Sequence, residues 1–134
     1  MGCAAAPARK GKLVLVGRVI DGDTIVIAGG ERVRYIGIGA PAVGTDGEEA
    51  ASLNRDLVEH RYVRLLSEVT DRDTFGRLLR YVMVDGVLVE AKLVREGLWP
   101  VPVDYHPGQP HAACVAPLEE EARSLGRGIW RSSR

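Results

Sequence analysis

Arg18-Val19-Ile20-Asp21-Gly22-Asp23-Thr24 and, about ten residues later, Arg34-Tyr35-Ile36-Gly37-Ile38-Gly39-Ala40-Pro41-Ala42 carry the reading of this chain. Asp21-Gly22-Asp23-Thr24 lies between apolar runs and reads as a turn that sets two carboxylates close together. Arg34 falls inside a β-rich run that ends in four small or apolar residues, Gly39 to Ala42. Carboxylates at a strand end and an arginine in the next strand suit a metal-assisted phosphate site. Hard cations prefer oxygen ligands, and the guanidinium fork matches phosphate. The residues after Ile38 stand where such a site wants further oxygen ligands and a base.

Working outward, Lys12 to Val16 is a β-branched apolar run, and Gly17 marks a bend or bulge. Thr24 to Ala28 reads as a second strand, Gly29-Gly30 as a tight turn, and Glu31 to Ile38 as the returning strand of a β-meander. In that third strand Arg32, Arg34, Ile36 and Ile38 share one face by the period of two. Two readings of Arg34 stand side by side. It reaches water from the mouth of a barrel along its aliphatic stem, or its guanidinium is aimed into a cleft. Asp46 reads as the N-cap of a helix in which Ala50, Leu53, Leu57 and Val58 recur at helical spacing. Glu48 and Glu49 then sit in the first turn, where they suit the helix dipole.

Arg61 to Leu66 alternates as a fourth strand, Val69 to Gly76 is a charged loop, and Arg77 to Val84 is a fifth strand. Asp85-Gly86 signals a hairpin into Val87-Leu88-Val89, and Glu90 to Glu96 reads as a short helix stopped by Gly97. Leu98 to Pro117 reads as irregular. Pro117 suits the first turn of a last helix running to Leu125, with Gly126 and Gly128 ending it and Ile129-Trp130 returning to the core. Five strands with interspersed helices predict an α+β fold on a small closed barrel.

The chain has 134 residues, enough for one domain with a proper core; residues 1–11 read as a tail or trimmed signal remnant and 12–134 as the domain. Lysine plus arginine and aspartate plus glutamate number 18 each, so no strong overall charge draws the chain to nucleic acid; a local basic cleft is still compatible. No apolar run approaches the ~18 residues of a membrane span. Gly2-Cys3 looks like the trimmed end of a bacterial lipoprotein signal, which would place the chain outside the cell or anchored at the envelope. Cys3 and Cys114 are either one bridge or two separate thiols. His106 and His111, in the proline-rich segment, read as surface histidines.

Three pieces then assemble. Asp21 and Asp23 are candidates for a hard cation, Arg34 and Arg77 for phosphate, and Phe75 and Tyr105 for stacking against a base. In combination these residues resemble the staphylococcal nuclease family. The resemblance rests on the runs Val19 to Thr24, Val33 to Ile38 followed by Pro41, Arg72 to Arg77, Leu93 to Leu98, and Glu119 to Trp130. It covers about Lys12 to Trp130, nearly the whole chain. It implies a five-stranded OB-type barrel with three helices and a Ca²⁺-dependent hydrolysis of phosphodiesters in DNA and RNA; the expected partner is single-stranded DNA or RNA, and the chain is expected to be a monomer.

By that resemblance Asp23 is the first calcium aspartate, with Asp21 behind it, and Arg34 and Arg77 are the two catalytic phosphate arginines. Phe75 replaces a tyrosine, keeping a ring and losing a hydroxyl. The family typically reads Asp-Thr-Pro-Glu where this chain reads Gly39-Ala40-Pro41-Ala42. Ala40 still offers the backbone carbonyl that the metal takes there. Gly39 cannot be the second calcium carboxylate, and Ala42 cannot be the glutamate proposed to activate water. Loss of a carboxylate weakens a site that takes about six to eight oxygens, and loss of a general base costs roughly 10²–10⁴-fold in rate. The expectation is a nuclease barrel with weakened or absent chemistry and residual phosphate binding. Two alternatives stand beside it: an active enzyme rearranged around Glu48 or Glu49, and a protein-interaction module on the same barrel.

Overall fold

The third strand closes the barrel by finding a partner far along the chain. In this computed structural model, which describes residues 11–36, 44–67, 70–98 and 112–133, β1 (Lys12–Asp21), β2 (Thr24–Ile27) and β3 (Arg32–Tyr35) form the expected antiparallel meander. β1 also pairs with β4 (Tyr62–Leu66), β4 pairs with β5 (Leu78–Val84), and β5 runs back parallel to β3. A two-residue strand, β6 (Val87–Leu88), folds onto β5 across the Asp85-Gly86 turn. Helices α1 (Gly44–Val58), α2 (Val89–Arg95) and α3 (Ala112–Leu125), followed by a 3-10 turn at Gly128–Ser133, complete a five-stranded OB-like α+β barrel.

The inward residues are mostly β-branched, the side chains that pack best on a pleated surface. Val16, Val19, Ile25, Val33, Tyr35, Val63, Leu65, Val82 and Val84 form one buried cluster, to which α1 adds Ala50 and Val58 and α2 adds Leu93 and Val94. Removing any such side chain from water contributes about 1.5–3 kcal/mol. The register slips at Gly17, between Val16 and Arg18. That bulge lets both Val16 and Val19 face inward although three positions separate them. β5 is buried on both faces. Tyr81 and Met83 point away from the barrel into a second cluster with Leu88, Ala91 and Val115.

Several boundaries differ from expectation, most by one or two residues. α1 starts at Gly44, so Asp46 stands within the first turn rather than at its cap; helix ends shift by such amounts easily. β3 is Arg32–Tyr35, with Ile36 already outside it; the rest of the expected run, to Ile38, lies outside the described residues. α3 begins at Ala112, which places Pro117 inside the helix and makes the end of the proline-rich stretch helical. Ala112, Ala113 and Ala116 are strong helix formers, and a proline this near the N-terminus removes only one backbone bond. At the other side, Gly97 and Gly128 meet back to back. A side chain on Gly97 would stand 2.2 Å from the Arg127 carbonyl, which explains the glycine beyond its φ of +75°. The Ile129 amide donates to the Gly97 carbonyl at 2.8 Å, so the chain after α3 does return to the body of the fold.

Candidate active site

Asp21 ends β1 and pairs with Thr24 at the head of β2, leaving Gly22-Asp23 as a two-residue hairpin. Asp21 Oδ1 accepts the Asp23 amide at 3.0 Å, a side-chain turn typical of aspartate. Thr24 Oγ1 donates to Asp23 Oδ1 at 2.9 Å. The other oxygen of Asp23, Oδ2, lies 3.6 Å from Arg34 Nε. Arg34 is held from a second side, since its Nη1 donates to the Tyr35 carbonyl at 2.6 Å. Crowding around its carboxyl pushes Asp21 above the usual carboxylate range, and Asp23 beside it adds to the shift.

Arg34 alternates with buried residues along β3, its own side chain about a quarter exposed (26%). Val33 and Tyr35 are the inward residues of β3, and Arg34 is on the outer wall between them. Ile36, on the same side, is partly buried against the second cluster. The sequence pattern had the right alternation, and the isoleucine found its own core.

Arg77 is brought in by the parallel pairing. Val33 is in register with Leu78 and Arg34 with Leu79, and Arg77 immediately precedes β5 at this junction. Its Nε lies 2.6 Å from Asp73 Oδ2, while Asp73 Oδ1 accepts the amides of Phe75 and Arg77, each at 2.9 Å. Partial burial works against the Asp73 charge, but those amides and the Arg77 guanidinium hold its carboxyl below the ordinary range. The Arg77 guanidinium lies 5.4 Å from the centre of the Phe75 ring, which is 82% exposed. Phe75 therefore has surface to offer a base. Tyr105 and Ala40 lie outside the described residues, as do Gly39 and Ala42.

Two supports escaped the sequence reading. Asp73 organises the loop that presents Arg77, and its place three residues before a glycine was a turn signal. Asn54 is fully buried on α1, where the Tyr35 hydroxyl donates to its Oδ1 at 2.6 Å and its Nδ2 donates to the Asp21 carbonyl at 2.9 Å. A polar residue among Ala50, Leu53, Leu57 and Val58 was the available hint. Asn54→Ala is expected to lower stability by about 1–3 kcal/mol in a urea melt, because a buried hydroxyl and carbonyl lose their partner. An unchanged midpoint would contradict this bridge.

Asp21 and Asp23 are oxygen donors of the class a hard cation takes. Among the described residues, however, no three histidine, cysteine, aspartate or glutamate side chains come together. Glu49 is engaged elsewhere: its Oε1 lies 3.6 Å from Arg131 Nη2, in a groove with Leu53, Leu57 and Lys92.

Residues 32–132 match the family model described as staphylococcal nuclease homologue. The chain is 38% identical over 131 residues to endonuclease YncB of Bacillus subtilis, covering 90% of this chain and 62% of that protein. It is 36% identical to the SPbeta prophage-derived endonuclease YokF of the same organism, covering 87% of this chain and 43% of the relative. With the thermonuclease of Staphylococcus intermedius the identity is 32%, over 90% of this chain and 77% of the other. The chain thus spans less than two thirds of the length of the two Bacillus proteins.

Proposed function

Because the chain belongs to the staphylococcal nuclease family, we propose that it grips the phosphates of single-stranded DNA or RNA through Arg34 and Arg77 and hydrolyses them slowly. The observation that supports this reading is the parallel register of β3 and β5, which pairs the strand carrying Arg34, an ion-pair partner of Asp23, with the strand that Arg77 precedes. The terminal nitrogens of Arg77 make no hydrogen bond among the described residues, so a phosphate meets donors already aimed outward. Arg34 is oriented by Asp23 and by the Tyr35 carbonyl. Two guanidinium groups on one phosphate also stabilise the charge that develops when water attacks phosphorus.

What the site lacks is a group to take the proton from that water. Gly39 and Ala42 have no carboxyl, at the positions where the family resemblance places one metal ligand and the base. Calcium, when bound, would polarise the phosphate; Asp23, with Asp21 behind it, is the residue that would hold it, and the affinity is weak because the carboxylate count is low. Phosphate binding by the two arginines does not depend on it.

Binding of a fluorescent single-stranded oligonucleotide tests this reading. Arg34→Ala is expected to weaken the Kd about 10–100-fold, the value of one or two hydrogen bonds to a charged group. Unchanged affinity in a folded variant would overturn it. Binding with no salt dependence would point instead to a protein-interaction module.

A further inference from the structure

The cross-strand register sorts the outer wall into two rows. The first runs Asp21, Thr24, Arg34, Leu79 from β1 to β5 and contains the candidate site. The second runs Arg18, Val26, Arg32. Val26 of β2 is opposite Arg18 of β1 on one side and opposite Arg32 of β3 on the other. Residues directly opposite in antiparallel strands point to the same face. Two arginines, Arg18 and Arg32, thus stand in one line, next to the row that holds Arg34.

Arg18 and Arg32 differ from most arginines of this protein. Both are exposed, and neither side chain makes a hydrogen bond or ion pair among the described residues. Arg61, Arg72, Arg80, Arg95 and Arg127, by contrast, each face a carboxylate. In a chain with equal numbers of acidic and basic residues, this row is a local, uncompensated positive strip. Strands lie about 4.8 Å apart, so the two guanidinium stems rise roughly 10 Å from each other with half-buried Val26 between them. A flexible, repeating polyanion is the ligand that such a line of donors fits.

We propose that Arg18 and Arg32 are a second phosphate-binding row, holding the backbone of the same single strand beyond the phosphate held by Arg34 and Arg77. The proposal rests on the nucleic-acid reading of Arg34. It adds residues that extend the footprint and contribute affinity without touching the reacting phosphorus.

The test is a salt series of oligonucleotide binding by the full chain, with folding checked by thermal melts. The probe is about 12 nucleotides long, within the ~4–16 that an OB barrel covers. Arg18→Ala with Arg32→Ala is expected to reduce the slope of log affinity against log salt by about 1.4, at about 0.7 for each phosphate that is no longer neutralised. A dinucleotide, too short to span both rows, loses less affinity than the longer strand. Arg18→Lys with Arg32→Lys keeps most of the slope, and Arg55→Ala on α1 leaves it alone. An unchanged slope in the double alanine variant, with Arg34→Ala still weakening binding, overturns the second row and spares the first. No effect from either set removes both. An equal loss of affinity for polyglutamate also overturns the proposal, since it would mark a general anion surface rather than a strand path.

Discussion

Gly39→Asp combined with Ala42→Glu is expected to raise Ca²⁺-supported cleavage of single-stranded DNA by roughly 10²–10⁴-fold, the range that a positioned general base contributes. The reasoning is chemical. On the proposed reading the unaltered chain uses Arg34 and Arg77 to hold phosphate and to stabilise negative charge, with Asp23, which lies 3.6 Å from Arg34, as one oxygen ligand. The double variant supplies the second metal carboxylate and the base in one step. Ala42→Glu alone is expected to gain less, because a base beside a weakly held metal acts on water that is poorly placed. Gly39→Asp alone should tighten calcium with little gain in rate, since groups that work as a unit are not additive. Oligonucleotide affinity measured without calcium should hardly move. A double variant that binds calcium more tightly yet cuts no faster would show that something other than these two positions limits the chemistry.

The second large effect concerns stability and has its origin in Glu90. This residue sits in α2 with 2% of its surface exposed. Its Oε1 accepts the Val82 amide at 3.2 Å, and its Oε2 has no hydrogen-bond partner among the described residues. Burial pushes its carboxyl up to about 8, only partly offset by the amides of Glu90 itself, Val82 and Ile36. The neighbouring Tyr35 hydroxyl, itself driven upward by burial and by Glu90, offers no compensating positive charge. The folded protein therefore carries a proton on Glu90 that the unfolded chain, near the ordinary value of 4.5, releases. Between those values the native state binds more protons than the unfolded state, so stability falls as pH rises.

At about 1.36 kcal/mol per pH unit, the stability present below pH ~4.5 and lost by pH ~8 amounts to roughly 5 kcal/mol. Glu90→Gln keeps the acceptor and cannot ionise. The expected result is similar stability at pH 5 and a variant more stable than the parent by several kcal/mol at pH 8.5. Asp73 works in the opposite sense, adding stability at neutral pH that is lost in acid. It is common to both proteins and cancels in the difference. A parent-minus-variant difference that does not change with pH would mean that Glu90 is not held as the neutral acid.

Much of this site was legible because its local pieces are short. Asp21-Gly22-Asp23-Thr24 is a hairpin whose geometry follows from residue types, and Arg34 follows it by a single turn and strand. The arrangement of Arg34 with Arg77 was different. More than forty residues separate them, and only the parallel closure of β3 on β5 joins the two strands concerned; no pattern in either strand announces that pairing. Asn54 and Glu90 were hidden for a related reason. Each looks like an ordinary helical polar residue until the tertiary fold buries it, and burial is set by which face the barrel covers. Pro117 misled for a local reason: proline is common at helix starts, and the alanines before it outweighed that preference. Gly17 was the opposite case, a glycine whose expected bulge appears and sets the phase that turns Arg18 outward.

The central claim is that phosphate recognition persists here while the machinery for making hydroxide has been lost. Its most direct test is cleavage of single-stranded DNA by the unaltered chain in excess Ca²⁺, run beside the Staphylococcus intermedius thermonuclease, with binding of the same oligonucleotide measured in parallel. The account predicts salt-sensitive binding together with turnover at least ~100-fold below that enzyme, the lower bound for a missing base. Turnover equal to that of the thermonuclease would contradict it.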